Sequence, residues 1–179
     1  MTRLRQGSGA AGFARFFARW RVFLGFVFAA VALWLATPTT MSLPIGAAVS
    51  VIGESIRVWA AGHLEKSKEV TRSGPYQFTR HPLYLGSSLI GIGFAIASNH
   101  LVVAIIVVAY LLLTLTAAMR SEEAHLREKF GDAYDAYVEK RSAPMTRRFS
   151  WQRALGNREH HTVAGLIAGL LILFLKVWV

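Results

Sequence analysis

Two short stretches of the chain crowd together side chains that can bind charge and move protons. Arg80-His81-Pro82-Leu83-Tyr84 sets a guanidinium, an imidazole and a phenol side by side, and Gly74-Pro75-Tyr76 precedes it closely. Pro82 suits the first position of a helix, where its missing N–H costs nothing, which makes His81 the N-cap. The free amides of that first turn, beside Arg80 and His81, form a seat for an anion such as a carboxylate or phosphate. Gly74-Pro75 is a turn signal that folds Tyr76 back toward the same place, and Tyr84 sits one turn into the helix. A plainer reading also stands: Arg80 snorkels to headgroups, Tyr76 and Tyr84 join an aromatic belt, and Pro82 merely starts a helix.

The second stretch is Glu122-Glu123. Helical residues run on through Arg120, Leu126 and Phe130 until Gly131 supplies a stop. Asp132 is expected to cap a following short helix in which Tyr134 and Tyr137 share a face, and Pro144 ends it. Adjacent glutamates on a helix point about 100° apart, so they do not form a shared-proton dyad. One of them is expected to accept hydrogen bonds from a ribose diol or to neutralise an ammonium group. The alternative is that both are solvated and pair with Arg120 and Arg127. A third charged pair, Glu54 and Arg57, lies three apart within an apolar segment, on one helical face. It is either a structural ion pair or a source of one free guanidinium that orients an anionic acceptor.

Other chemistries are set aside. His63, His81, His100, His125, His160 and His161 lack the spacing of convergent metal boxes, and cysteine is absent, so no metal site, disulfide or thiolate is expected. No Gly-rich phosphate loop follows a strand, which excludes a Rossmann-type cofactor site.

The elements that must position these residues are membrane helices. The 179 residues are 54% hydrophobic and only 17% charged, with a formal net charge of +10. Long apolar runs separate the basic clusters, so the charge reads as anchoring at an anionic inner leaflet rather than as a nucleic-acid stripe, and no nucleic acid is expected as partner. Apolar segments at Val22–Ala36, Leu43–Ala61, Leu83–Ala97, Leu101–Met119 and Val163–Val177 predict an all-α polytopic membrane protein of about five spans. Gly12–Arg21, with Phe13, Phe16, Phe17 and Trp20 against Arg15, Arg19 and Arg21, reads as a basic interfacial lead-in over 1–21. Gly62–Arg80 and Arg120–His161 hold most of the remaining Lys and Arg, which places the N-terminus and both motif stretches on the cytoplasmic side of an inner membrane. Lys176 leaves the last segment as either a span or a surface-lying helix. The chain is taken as one domain over 1–179.

Together, Gly74-Pro75-Tyr76, Arg80-His81-Pro82-x-Tyr84-x-Gly86 and Glu122-Glu123-x-x-Leu126-x-x-x-Phe130-Gly131-x-x-Tyr134-x-x-Tyr137 resemble the isoprenylcysteine carboxyl methyltransferase and phospholipid methyltransferase group of integral membrane enzymes. The resemblance covers a core over 62–144; the apolar helix after it, over 162–179, is additional. It implies S-adenosylmethionine in a cytoplasmic-face pocket, with His81, Pro82, Tyr84, Gly86 and one of Glu122 or Glu123 at the cofactor, and Tyr76 and Arg80 in support. It further implies a lipid-like methyl acceptor that arrives through the bilayer. The favoured acceptor is a carboxylate, as in isoprenylcysteine-type O-methylation, oriented by Arg57, with phospholipid amine N-methylation as the alternative. An amine acceptor would have to lose a proton, with His81 or a glutamate, Glu123 among them, as base.

Two other readings remain at this level: a nicotinamide-dependent sterol-type membrane reductase, and a non-enzymatic transporter or scaffold in which Glu54 and Arg57 line a path. Whether the chain self-associates is open, since Gly91 and Gly93 suit helix packing within one chain or between chains.

Overall fold

The computed structural model describes residues 23, 25–143 and 145–178. Among these the chain is helical and has no strand: α1 (Gly25–Leu35), α2 (Ser42–His63), a single 3-10 turn (Gly74–Gln77), α3 (Pro82–Ser98), α4 (Leu101–Phe130), α5 (Asp132–Val138), α6 (Trp151–Gly156) and α7 (Glu159–Val177). The expected lead-in over 1–21 and the stop at Pro144 lie outside the described residues. By length and composition α2, α4 and α7 can each cross a membrane. α3 has 17 residues and covers about 25 Å, less than a hydrocarbon core of about 30 Å. Against the expected count of about five spans, the described residues hold three helices of spanning length and two shorter apolar ones, α1 and α3. Large apolar side chains such as Leu101, Leu112, Leu113 and Ile167 face outward, as they do when the surrounding solvent is lipid.

α2 and α3 pack along a seam of small residues. Gly46, Ser50 and Gly53 of α2 meet Gly86, Gly93 and Ala97 of α3, and the Ser50 hydroxyl donates to the Ile90 carbonyl at 3.4 Å. Lipid supplies no hydrophobic drive between helices, so close backbone approach and its dispersion contacts hold such a seam together. The structure also gives the glycines a use within one chain: Gly93 abuts Ser50, and Gly91 abuts Leu111 of α4.

The two uncharged connections meet at one end of the bundle. Thr37 N–H donates to the Ser98 carbonyl at 2.8 Å, and the Asn99 amide donates to the Thr37 carbonyl at 3.3 Å. Asn99 itself ends α3 in the left-handed region, with φ 48°, a conformation that Asn tolerates better than most residues. At this same end Lys176 donates to the carbonyls of Leu33 (2.9 Å), Trp34 (2.8 Å) and Ala36 (2.6 Å), which α1 leaves without helical partners. Leu173 packs there with Ala36 and Ala97. The other end of α7 lies at Arg57, so α7 runs the length of α2 rather than lying across one end of the bundle.

Two boundaries differ from those expected. α7 begins at Glu159, four residues before Val163, because Arg158 (φ 64°) closes the preceding turn and the Glu159 carboxylate suits a helix N-terminus. Asp132 does not cap α5: Gly131 (φ 48°) ends α4 and also precedes α5, which leaves Asp132 inside the first turn. The seam predicts the cost of one methyl group. A Cβ at position 53 would lie 2.6 Å from the Gly86 carbonyl oxygen and 2.8 Å from Ile90 N, both backbone atoms that yield only if the helices separate. Gly53→Ala is expected to lower stability by about 2 kcal/mol, read as a reduced thermal midpoint of the detergent-solubilised protein.

Candidate functional site

The first turn of α3 is tied to α4 by its own preceding residues. Pro82 occupies the first helical position, and His81 precedes it without using its side chain as a cap. The His81 ring turns instead to α4, where Nε2 donates to Glu123 Oε1 at 2.9 Å, and Arg80 Nη1 lies 3.3 Å from the same oxygen. Charge-assisted bonds of this kind are stronger than neutral ones. With Glu123 committed to this cluster, Glu122 points elsewhere.

Glu122 faces a cavity of about 550 Å³, within the size range of small-molecule sites. Its wall combines Arg57 of α2, the 3-10 turn through Tyr76, Arg80 and Tyr84 at the start of α3, Tyr134 and Tyr137 of α5, and Glu159 of α7. Among the described residues, Glu122 has no hydrogen-bond or ion-pair partner.

α5 closes the cavity. The Tyr137 hydroxyl donates to the Tyr76 carbonyl at 2.8 Å, and the Tyr134 and Tyr137 rings lie 6.2 Å apart. Burial pushes the Tyr137 phenol up to about 12 and the Tyr76 phenol higher still, with the Glu122 carboxylate adding to the second shift. Both phenols therefore stay protonated and able to donate. Tyr134 is 1% exposed, and its hydroxyl has no partner among the described residues. A buried donor left without a protein partner, in a cavity wall, is suited to a bound polar ligand.

Arg57 forms the floor. Its Nη2 donates to both oxygens of Glu159, at 2.8 and 3.1 Å, and lies 3.3 Å from the Thr162 hydroxyl. Its Nη1 donates to the Ser87 hydroxyl and, at 3.4 Å, to the Leu83 carbonyl. Glu54 stands 3.7 Å from Nε but accepts no hydrogen bond. Arg57 is thus engaged, mainly by a residue more than a hundred positions away. Ser87 also borders a second, apolar cavity of about 480 Å³ between α1, α3, α4 and α7, lined by Phe28, Phe94 and Tyr110 among others.

The end of α2 beneath the cavity is capped from the chain that follows α5. Asn157 donates to the carbonyls of Ala61 (2.9 Å) and Leu64 (3.0 Å), Arg153 Nε to Gly62 (2.8 Å), and Arg147 to His63 (3.3 Å). Carbonyls at a helix C-terminus lack helical partners, and cations suit that end.

Of the residues singled out in the sequence, Arg57, Tyr76, Arg80, Tyr84 and Glu122 line the cavity together. His81 and Glu123 stand behind the wall as a pair, and Pro82 is buried at the helix start. Gly86 lies in the α2 seam, where a Cβ would come within 2.5 Å of Arg57 Cγ and the Gly53 carbonyl. Glu159, Asn157 and the unpartnered Tyr134 hydroxyl were not anticipated. For Glu159 a signal existed: it is the acidic residue at the head of an apolar run, where charge is costly unless paired.

A family model described as phospholipid methyltransferase matches residues 20–133. The nickel-cobalt-cadmium resistance protein NccN of Alcaligenes xylosoxydans xylosoxydans is 29% identical over 114 residues, covering 62% of this chain and 51% of that protein. The cobalt-zinc-cadmium resistance protein CzcN of Cupriavidus metallidurans is 29% identical over 121 residues, covering 62% of this chain and 55% of that protein. The alignments thus take in about half the length of these curated relatives. No solved structure matches the chain.

The contact between α5 and the 3-10 turn is open to test. Tyr137→Phe removes one hydrogen bond, worth about 1 kcal/mol, and is expected to speed amide exchange across Tyr76–Thr79 while leaving exchange in the α2–α3 seam unchanged.

Proposed function

The chain belongs to the phospholipid methyltransferase family, and we propose that it is an integral membrane enzyme transferring a methyl group from S-adenosylmethionine to a lipid-like acceptor. The observation that carries this reading is the convergence of two distant stretches, Tyr76–Tyr84 and Glu122–Tyr137, on one cavity. The wall suits the donor. A carboxylate free of protein partners, several aromatic rings and a buried unpartnered hydroxyl match a cationic sulfonium attached to a nucleoside with hydrogen-bonding groups. When bound, the donor supplies an activated methyl group, and the remaining work is alignment and exclusion of water.

In this reading Glu122, Tyr76, Tyr84 and Tyr134 contact the cofactor. Arg80, His81 and Glu123 hold the start of α3 against α4, while Pro82 and Gly86 set the placement of α3 itself. The acceptor's hydrocarbon part rests in the apolar cavity next to Ser87, with its head at the Arg57 layer. A carboxylate head held by Arg57 would have to displace Glu159, which grips the guanidinium with both oxygens. An amine head needs no such exchange, and Glu122, among the described residues the unpaired one of the carboxylates lining the cavity, is placed to take its proton. We therefore favour an amine over the carboxylate that Arg57 suggested in the sequence. The Lys- and Arg-rich segments on either side of the cavity support a cytoplasmic, inner-membrane orientation, and residues 1–179 are taken to work as one domain.

Two measurements test the proposal. Calorimetry in detergent or nanodiscs is expected to give micromolar binding of S-adenosylhomocysteine and none of a nicotinamide dinucleotide, with Glu122→Gln weakening the first about tenfold. Binding of the dinucleotide instead, or of neither ligand, would refute it. Because the natural chain has no cysteine, Lys66→Cys creates a single thiol beside the cavity. It is expected to react with an impermeant maleimide only after the inner membrane is opened.

A further inference from the structure

Apart from Glu122, the ionised groups around the cavity are paired or solvated. Arg80 meets Glu123, Glu69 meets Arg147, and Lys66 stands in solvent, where its charge is screened. Arg57 is different, because it is half-sheltered in the floor and the carboxylate that hydrogen-bonds to it comes from α7. That helix lies beyond residues 20–133, the part that matches the family. Glu159 is 5% exposed, places both oxygens on Arg57 Nη2 and itself lines the cavity. Glu54, the other carboxylate near Arg57, borders a different groove beside Trp59 and Phe149.

Without Glu159 the guanidinium would keep only the Glu54 carboxylate, 3.7 Å from Nε and outside the cavity lining, and its Nη2 side would present positive charge to whatever the cavity holds. In a partly dehydrated site, charge–charge terms are several times larger than in bulk water. A sulfonium ligand would feel that charge as repulsion, whereas its demethylated thioether, of nearly the same shape, would not.

We propose that Glu159 is a positioning residue of the active site, which fixes Arg57 in the cavity floor and cancels its charge so that the cavity accepts a cationic methyl donor. This rests on the reading of the cavity as an S-adenosylmethionine site, and it assigns to the C-terminal helix a role in donor selection that the family-matched region does not contain.

The test compares two ligands on the full-length protein in nanodiscs, S-adenosylmethionine and S-adenosylhomocysteine, by calorimetry. Glu159→Gln is expected to weaken the sulfonium ligand roughly tenfold more than the thioether. Glu159→Asp, which keeps the charge, is expected to hold the wild-type ratio of the two affinities, and the double variant Arg57→Gln/Glu159→Gln is expected to restore it. An equal loss for both ligands in Glu159→Gln would mark Glu159 as merely structural and overturn the inference. If Glu159→Gln does not fold, the double variant decides: a ratio still shifted against the sulfonium overturns the proposal. Wild-type protein that binds neither ligand would instead bring down the underlying functional reading.

Discussion

The closeness of α2 to α3 is the constraint on which the rest of the molecule depends. Glycine and serine along both helices bring the backbones together, and in a lipid surround such contact replaces the hydrophobic drive of a water-soluble core. Its consequence is local as well as global. Gly86 lets the Arg57 stem lie against α3, so the guanidinium reaches the Leu83 carbonyl and the Ser87 hydroxyl. A bulkier residue at that position would push the floor of the cavity away from its wall.

Polar groups near a membrane boundary are stable only when satisfied, and here the satisfaction is shared among distant segments. His81 and Arg80 converge on one oxygen of Glu123, which joins α3 to α4. Arg147, Arg153 and Asn157 take up the carbonyls at the end of α2. Lys176 does the same for α1 at the opposite end of the bundle. The last two sets of bonds close a helix terminus and also tie the C-terminal part of the chain to the N-terminal part. The cavity is therefore bordered by groups that are already committed, with Glu122 and the Tyr134 hydroxyl as the conspicuous exceptions.

That contrast separates two kinds of charged residue. Glu123 and Arg57 are tied into the structure, and Glu122 faces the cavity without a partner among the described residues. Methyl transfer from a sulfonium asks for alignment more than for strong acid or base, which agrees with a site where most ionisable groups are occupied in fixing the geometry. The tyrosines serve the same end, since burial keeps Tyr76 and Tyr137 protonated and able to donate.

The sequence by itself determined the helical membrane class, the approximate helix positions, the proline-led start of α3, the glycine at the end of α4, and the two stretches that border the cavity. These are local properties, set by hydropathy over a window and by the backbone preferences of proline and glycine. Tertiary structure alone decided the rest. Whether Glu122 or Glu123 faces the cavity depends on the rotation of α4 against α3. Gly86 belongs to the helix seam because α2 passes beside it. Arg57 is paired because a carboxylate 102 positions later arrives on α7. Such pairings arise when chain segments remote in sequence pack side by side, and no local pattern records which partner arrives.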